Sequence, residues 1–396
     1  MPSTPNTLPA GFTPALPALI LLTTIFFANF LARTIFGPLL LPISQTMGQG
    51  LANSAKIYVF LFSGYSVSVL CTGFVSQYLG HKNTIVLSVS LIGLALLGLS
   101  WTHSFPALLA WVICIGVGAG LYMPSGVVTI TETLSSAYWG RAFAVHELGP
   151  NLSFILAPFI VELFLSTIGY SLLFRVIALC CLGLAGVYYH FGPTTKRPGV
   201  PPMLGNIRAI ISKPAFWIMA TLFVLAVGIE IGVYNLVPAF LTSERGVSRE
   251  DANIILGCSR LLALFCLPAT GWVIDRIGYR QTLYLCLAGT AITTSLAGIG
   301  PLWWTIAMLG LQPVFVVCFF PVGFAVLSLV CPQNTSDLSV SLTITCSSVL
   351  GAGLLPFSMA WAGERIGLSL CFILLGVFIL SVSALAIKNL HIPQNS

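Results

Sequence analysis

The second half of this chain repeats the first at a fixed offset of 198 residues, half of its length of 396. Gly73 and Gly80 recur as Gly271 and Gly278, Lys82 as Arg280, Pro158-Phe159 as Pro356-Phe357, and Gly169 as Gly367. A duplicated unit of this kind folds as two like bundles that meet at a seam. If the repeated unit is a set of membrane helices, the seam offers a place for polar groups near mid-depth.

The repeated unit is apolar. Hydrophobic residues make up 57% of the chain and charged residues 7%, against about 25% charged in a soluble domain. Apolar runs long enough to cross a hydrocarbon core of about 30 Å fall at 17–43, 54–78, 84–102, 106–131, 140–166, 169–191, 215–242, 252–274, 281–299, 303–331, 338–362 and 367–388. The predicted fold is therefore an all-α integral membrane protein with twelve transmembrane helices in two pseudo-symmetric six-helix bundles, residues 1–191 and 215–396. Residues 192–214 form the predicted linker, in which Pro193, Pro198, Pro201 and Pro202 oppose one continuous helix. A short amphipathic piece is expected over Leu204–Ile211, and no chemistry is assigned to the linker.

Charge distribution sets orientation. Turns after the even-numbered helices, with the C-terminal tail, carry Lys82, Arg141, Lys196, Arg197, Arg208, Lys213, Arg276, Arg280 and Lys388. The opposite turns carry only Lys56, Arg245, Arg249 and Arg365, diluted by Glu244, Glu250, Asp251 and Glu364. The positive-inside rule then places both termini in the cytoplasm. This basic balance concerns topology, so no nucleic-acid partner is inferred. Residues 1–16 lack the basic region and cleavage site of a signal peptide, and no soluble domain is expected in either tail. The eleven cysteines form no CxxC or Cys/His pattern, so neither a disulfide framework nor a metal site is expected. Without a Ser/His/Asp or HExxH arrangement or a nucleotide-binding loop, the chain reads as a non-enzyme that needs no cofactor.

The strongest local motif is Gly271-Trp-Val-Ile-Asp275-Arg276-Ile-Gly278-Tyr-Arg280, between predicted helices eight and nine. It resembles the G-x-x-x-D-[RK]-x-G-[RK] loop of the major facilitator superfamily, with Tyr279 inserted before the final cation. The resemblance covers essentially the whole chain. It implies secondary active transport by alternating access, with Gly271, Asp275, Arg276, Gly278 and Arg280 as a gating loop. The first copy departs from the pattern: Gln77 and Tyr78 stand where the family has its acidic and basic residues. Trp111–Ile115, before the Gly116-Val-Gly118-Ala-Gly120 run, also lacks the family's Arg. Losing both partners leaves no stranded charge, but any latch there must be weaker or of another kind. Gly149-Pro150 matches only part of a glycine-rich run found in proton-coupled drug exporters.

Ionisable residues inside the spans cost at least about 2.5–3.5 kcal/mol each and need a partner or a wet path. Arg33 and Arg260 are the candidates for an anion site, because a guanidinium stays charged and forks onto oxyanions. Organic-anion branches of the superfamily place arginines similarly. The bland alternative holds each Arg on backbone carbonyls or a resident carboxylate. Glu230 shares the depth of Arg33 across the repeat and is read as its partner, as a fixed pair or as a switch. Glu147, Glu230 and His146 are the proton-coupling candidates, although a satisfied interhelical hydrogen bond is the simpler expectation for His146. Tyr234, Asn235, Asn151 and Gln312 complete the predicted substrate contacts, and Glu162 with Arg175 is expected to form a structural bridge. The expected function is proton-coupled transport of a small organic anion by a monomer in a bacterial inner membrane. The alternatives are a proton-driven exporter of amphipathic compounds and, more remotely, a non-transporting sensor.

Overall fold

From Lys56 to Leu99 the backbone runs as 44 residues of helix, about 66 Å at helical rise and twice what a bilayer core accommodates. Gly80 resolves the conflict: at φ 74° and ψ 159° it breaks the run, in a conformation that costs a glycine nothing. Gly278, its repeat partner, does the same at φ 79° within Thr270–Ala297. Gly169 and Gly367, at φ 100° and 85°, likewise open the sixth and twelfth helices. The repeat is thus a repeat of backbone geometry at the turns.

The computed structural model describes residues 12–266, 270–331 and 336–392. With the breaks at Gly80 and Gly278, these form twelve traverses. The first is Phe12–Thr34 with Phe36–Thr46; 56–79 and 81–99 are the second and third; Phe105–Thr133 is the fourth. The fifth joins Trp139–His146 to Leu148–Leu165, and Tyr170–Phe191 is the sixth. Pro214–Val227 continues through a π-helical turn, Gly228–Val233, into Tyr234–Arg245 as the seventh. The eighth comprises Arg249–Ser259, Leu261–Cys266 and 270–277, and the ninth is 279–297. Leu302–Val330 is the tenth; Ser336–Cys346, the π turn Ser347–Leu354 and Leu355–Ile366 make the eleventh; Leu368–Lys388 is the twelfth. Side chains such as Leu163, Leu179, Phe265 and Leu385 stand more than 60% exposed on these helices, as lipid-facing groups do. The expected amphipathic helix is present at Leu204–Ile211. Of the N-terminal tail, residues 1–11 lie outside the described residues.

Close backbone approach holds the first helices together. A Cβ on Gly116 would sit 2.0 Å from the Leu61 carbonyl, and one on Gly120 2.4 Å from that of Tyr65. Gly118, between them, faces the third traverse, where Ser88 Oγ donates to its carbonyl at 2.6 Å. Among lipid-solvated helices, small residues allow such approach where the hydrophobic effect contributes little. Gly116→Ala should therefore lower the unfolding free energy by about 1–3 kcal/mol through overpacking, read as a lower melting temperature in detergent. Gly205→Ala, where a Cβ meets nothing within 4 Å, should leave it unchanged.

The linker does more than connect. Glu132, at the end of the fourth traverse, accepts the backbone N–H groups of Lys196 and Arg197 at 2.7 and 2.9 Å. Gly199 and Val200 then lie so close to Gly73 and Ser76 that a Cβ on Gly73 would fall 2.4 Å from the Val200 carbonyl. Thus at the first motif copy, which lacks the acidic and basic latch residues, the linker straps the loop down. His81 adds a bond to Ser125 at 3.1 Å.

A second expectation is corrected at the end opposite the basic turns. Glu162 does not pair with Arg175. Its carboxylate accepts Arg249 Nη2 at 2.6 Å and Asn253 Nδ2 at 2.9 Å, both on the eighth traverse. Arg175 instead reaches Ser100 at 3.4 Å and the face of Trp101. Nearby, Glu364 accepts the backbone N–H of Ala52 at 2.9 Å. Two carboxylates, one from each repeat half, thus clamp the halves together at this end.

Candidate functional site

Four helices depart from regular α-helical bonding, and they are repeat partners. The first does so around Ile35 and the seventh through the π turn ending at Val233; the fifth around Glu147 and the eleventh through the π turn starting at Ser347. Pro38 and Pro150 lack the N–H that a straight helix would give to Thr34 and His146. The two π turns pack on each other, with Gly228 Cβ space filled by the Gly351 backbone at 3.2 Å. Such interruptions leave carbonyls and side chains free to face a shared interior.

Arg33 and Arg260 lie in this zone, 7% and 5% exposed. Arg33 Nη2 donates to Asn29 Oδ1 at 3.0 Å and Nε to the Asn29 carbonyl at 3.4 Å. Asn29 is itself oriented by donating to the Ala119 carbonyl at 3.1 Å. The Arg33 guanidinium stands 4.0 Å from the centre of the Phe30 ring and 4.9 Å from that of Tyr65. Arg260 repeats the scheme with other residues: 4.8 Å from Phe154 and 4.9 Å from Tyr234. The Phe30 and Phe154 rings are 6.1 Å apart, so an aromatic pair joins the two cations. Tyr234 donates to the Phe154 carbonyl at 3.2 Å and ties the seventh traverse to the fifth.

The charges are not distributed as the repeat suggested. Glu230 does not pair with Arg33. Its backbone carbonyl accepts Arg260 Nη2 at 2.8 Å, and its carboxylate lies 3.9 Å from Nη1. Equal depth did not mean facing, because Glu230 sits in the π turn, where each added residue turns the helix by about 100°. Among the described residues no carboxylate lies within 4.0 Å of Arg33. A buried guanidinium without a counter-charge is expensive, and here Asn29 and the two rings are what hold it.

The remaining candidates occupy varied positions. Glu147 is half-exposed, its carboxylate 3.9 Å from His146 Nδ1. His146 is fully buried against Tyr122. Asn151 donates to the Glu147 carbonyl at 2.8 Å, so it supports the irregular turn. Asn235 packs at the crossing of the first and seventh traverses, its Oδ1 3.0 Å from where a Cβ on Gly37 would stand. Gln312 is buried on the tenth traverse, with no hydrogen-bond partner for Nε2 among the described residues. In the gating loop Asp275 is exposed, Arg276 stacks on Trp272 at 4.1 Å, and Arg280 donates to the Leu390 carbonyl. Asn29, Phe30, Tyr65 and Phe154 were not singled out from sequence. An Asn and a Phe four and three residues before Arg33, on one helix face, were the available signal.

The chain is similar in sequence and fold to known transporters. It is 25% identical over 289 residues to the "Probable nitrate/nitrite transporter NarK2" of Mycobacterium tuberculosis, covering 72% of each chain. It is 21% identical over 267 residues to the "Probable nitrate transporter NarT" of Staphylococcus epidermidis, covering 67% of this chain and 68% of that one. Its fold matches crystal structures of a bacterial homolog of the human lysosomal transporter Spinster (TM-score 0.79, 15% identity, 96% and 97% of the two chains). It also matches the peptide transporter POT in complex with sulfate (TM-score 0.77, 13% identity, 96% and 97%). Twelve helical traverses, a gating-loop motif and a 198-residue repeat agree with the Major Facilitator Superfamily profile, which matches residues 22–248 and 229–394: the chain belongs to that superfamily of secondary transporters and is not an enzyme.

Proposed function

We propose that this protein transports a small inorganic oxyanion of the nitrate or nitrite class, coupled to protons, with Arg33 and Arg260 as its anion contacts. The observation that carries the proposal is the unequal neutralisation of two buried, ring-stacked arginines: among the described residues Arg260 has a carboxylate within 4.0 Å and Arg33 has none. An organic anion was the expectation from residues alone. The relatives named for nitrate and nitrite favour the smaller ligand, and so do the four rings lining the two guanidinium groups, which leave little polar surface for a larger one. Export of amphipathic cations is disfavoured by the same two charges.

Glu230 supplies a route to coupling. While ionised it holds Arg260; once protonated it releases a guanidinium that the anion takes up. Anion and proton then stabilise each other's binding, which is the thermodynamic content of symport. With the basic end in the cytoplasm of a bacterium, the clamp at Glu162 and Glu364 closes the outer side. The test is nitrate and nitrite uptake into proteoliposomes with an imposed pH gradient, acid outside. Accumulation above the equilibrium level is expected for the native protein. Glu230→Gln should weaken gradient-driven accumulation while retaining anion exchange at equal pH. Accumulation by that variant equal to the native protein's would remove Glu230 from the coupling path, and failure of both anions to move would overturn the substrate assignment.

A further inference from the structure

We propose that His146 and Glu147 form a second protonation site, separate from Glu230, at the joint of the fifth traverse. The bonding around His146 fixes its state. Tyr122 has one O–H, and it donates to the Leu22 carbonyl at 2.8 Å. The 2.9 Å contact between Tyr122 Oη and His146 Nε2 therefore needs its hydrogen on Nε2. That leaves the Nδ1 of a neutral ring as a bare acceptor. It is fully buried, has no hydrogen-bond partner among the described residues, and lies 3.9 Å from a Glu147 carboxylate oxygen. The ring is held in place by stacking on Phe26, centroids 4.3 Å apart. An orphaned acceptor in a rigid ring beside a carboxylate is a proton site with the proton missing. Filling it requires only that the Nδ1 lone pair take a proton from hydronium, giving an imidazolium beside the Glu147 carboxylate and one water; release reverses the step.

Glu147 connects the site to the polar path. Its side chain is 46% exposed, which a carboxylate does not sustain against lipid. The joint gives the proton a mechanical consequence. Glu147 stays helical at φ −69° and ψ −9° and donates its N–H to the Phe143 carbonyl at 2.9 Å, but Pro150 has no N–H for the His146 carbonyl. Drawing Nδ1–H and Glu147 together thus acts where the helix is already one hydrogen bond short. The other titratable groups facing the pair are Tyr122 on the fourth traverse, Tyr188 on the sixth, which interacts with Tyr122, and Glu230 on the seventh, held by Arg260 from the eighth. The first traverse contributes the Leu22 carbonyl and the Phe26 ring.

The role in transport rests on the symport reading above; the proton site does not. It is tested by 15N NMR of histidine-labelled protein in nanodiscs, with the His146 signal identified among the five histidines by its loss in His146→Gln. At about pH 8 the signal should show one protonated nitrogen, and imidazolium should replace it as the pH falls toward about 5. Glu147→Gln, a change at a half-exposed position, should move that conversion to lower pH, whereas Glu230→Gln should move it less. A ring that stays neutral throughout, or one that titrates identically with Glu147→Gln, would overturn the proposal. In vesicles, His146→Gln should lower the proton-to-anion ratio by about half while exchange persists; an unchanged ratio would exclude this proton from the cycle. If nitrate and nitrite are not carried, the NMR result still decides, since it needs no ligand.

Discussion

Arg260→Lys slows nitrate or nitrite uptake by roughly 10–100-fold, and Arg33→Lys does likewise, although both keep the positive charge. Hydrogen bonds to charged groups are worth about 1.5–3 kcal/mol, and each 1.4 kcal/mol is tenfold. Arg260 uses its fork to hold the Glu230 carbonyl while presenting its face to Phe154 and Tyr234. A lysine ammonium is a point charge that cannot hold a carbonyl, stack its plane and offer two parallel donors to a flat oxyanion at once. The same holds for Arg33 between Asn29, Phe30 and Tyr65. Initial rates in proteoliposomes check the prediction, with melting temperatures to show that the variants are folded. Near-native rates for folded Arg260→Lys would mean that charge alone suffices and that the planar fork is not used.

Glu162→Ala opens the end opposite the basic turns. The carboxylate holds Arg249 and Asn253 across the repeat seam, and Asn253 is fully buried. The Arg249 side chain is 42% exposed, so its ion pair is partly screened and worth less than a buried one. The Asn253 bond and the desolvated Glu162 oxygen add to it. A shift of about 1–3 kcal/mol in the balance between closed and open clamp is expected, a 5–150-fold change in population. Hydrogen–deuterium exchange of peptides covering 249–258 and 51–58 measures it, because loss of the clamp exposes both helix starts to water. Faster exchange in Glu162→Ala but not in Arg175→Ala is the expected pattern. Equal protection in both would show that apolar packing, such as Phe159 against Gly257, closes this end by itself.

Much of the proposed site's inventory comes from residue types alone, and little of its wiring does. Arg33, Arg260, Glu230, Glu147 and His146 stood out because an ionisable group in an apolar run has few innocent explanations. Tyr234 stood out less, yet it packs on Arg260. Asn151 and Asn235 looked equally suited to a ligand, and the structure turns one to its own backbone and the other to a helix crossing. Phe30 and Phe154 escaped notice, because a phenylalanine in a lipid-soluble helix is the commonest kind of residue there. The linker was read as a mere connector, since nothing in its composition reveals that Glu132 and Gly73 receive it.

What the sequence by itself determined was local or additive: the length of each apolar run, the sum of charges at each end, and the glycines whose positive φ cuts one long helix into two. Those properties need no knowledge of a neighbour, and the 198-residue repeat carried them from one half to the other. Partner choice was decided only by the tertiary structure. Glu230 went to Arg260, Glu162 to Arg249 and His146 to Tyr122. A repeat offset fixes how deep a residue lies. Which way it faces depends on the rotation of its helix about its own axis, and here π turns and prolines reset that rotation at the depth where the charges lie.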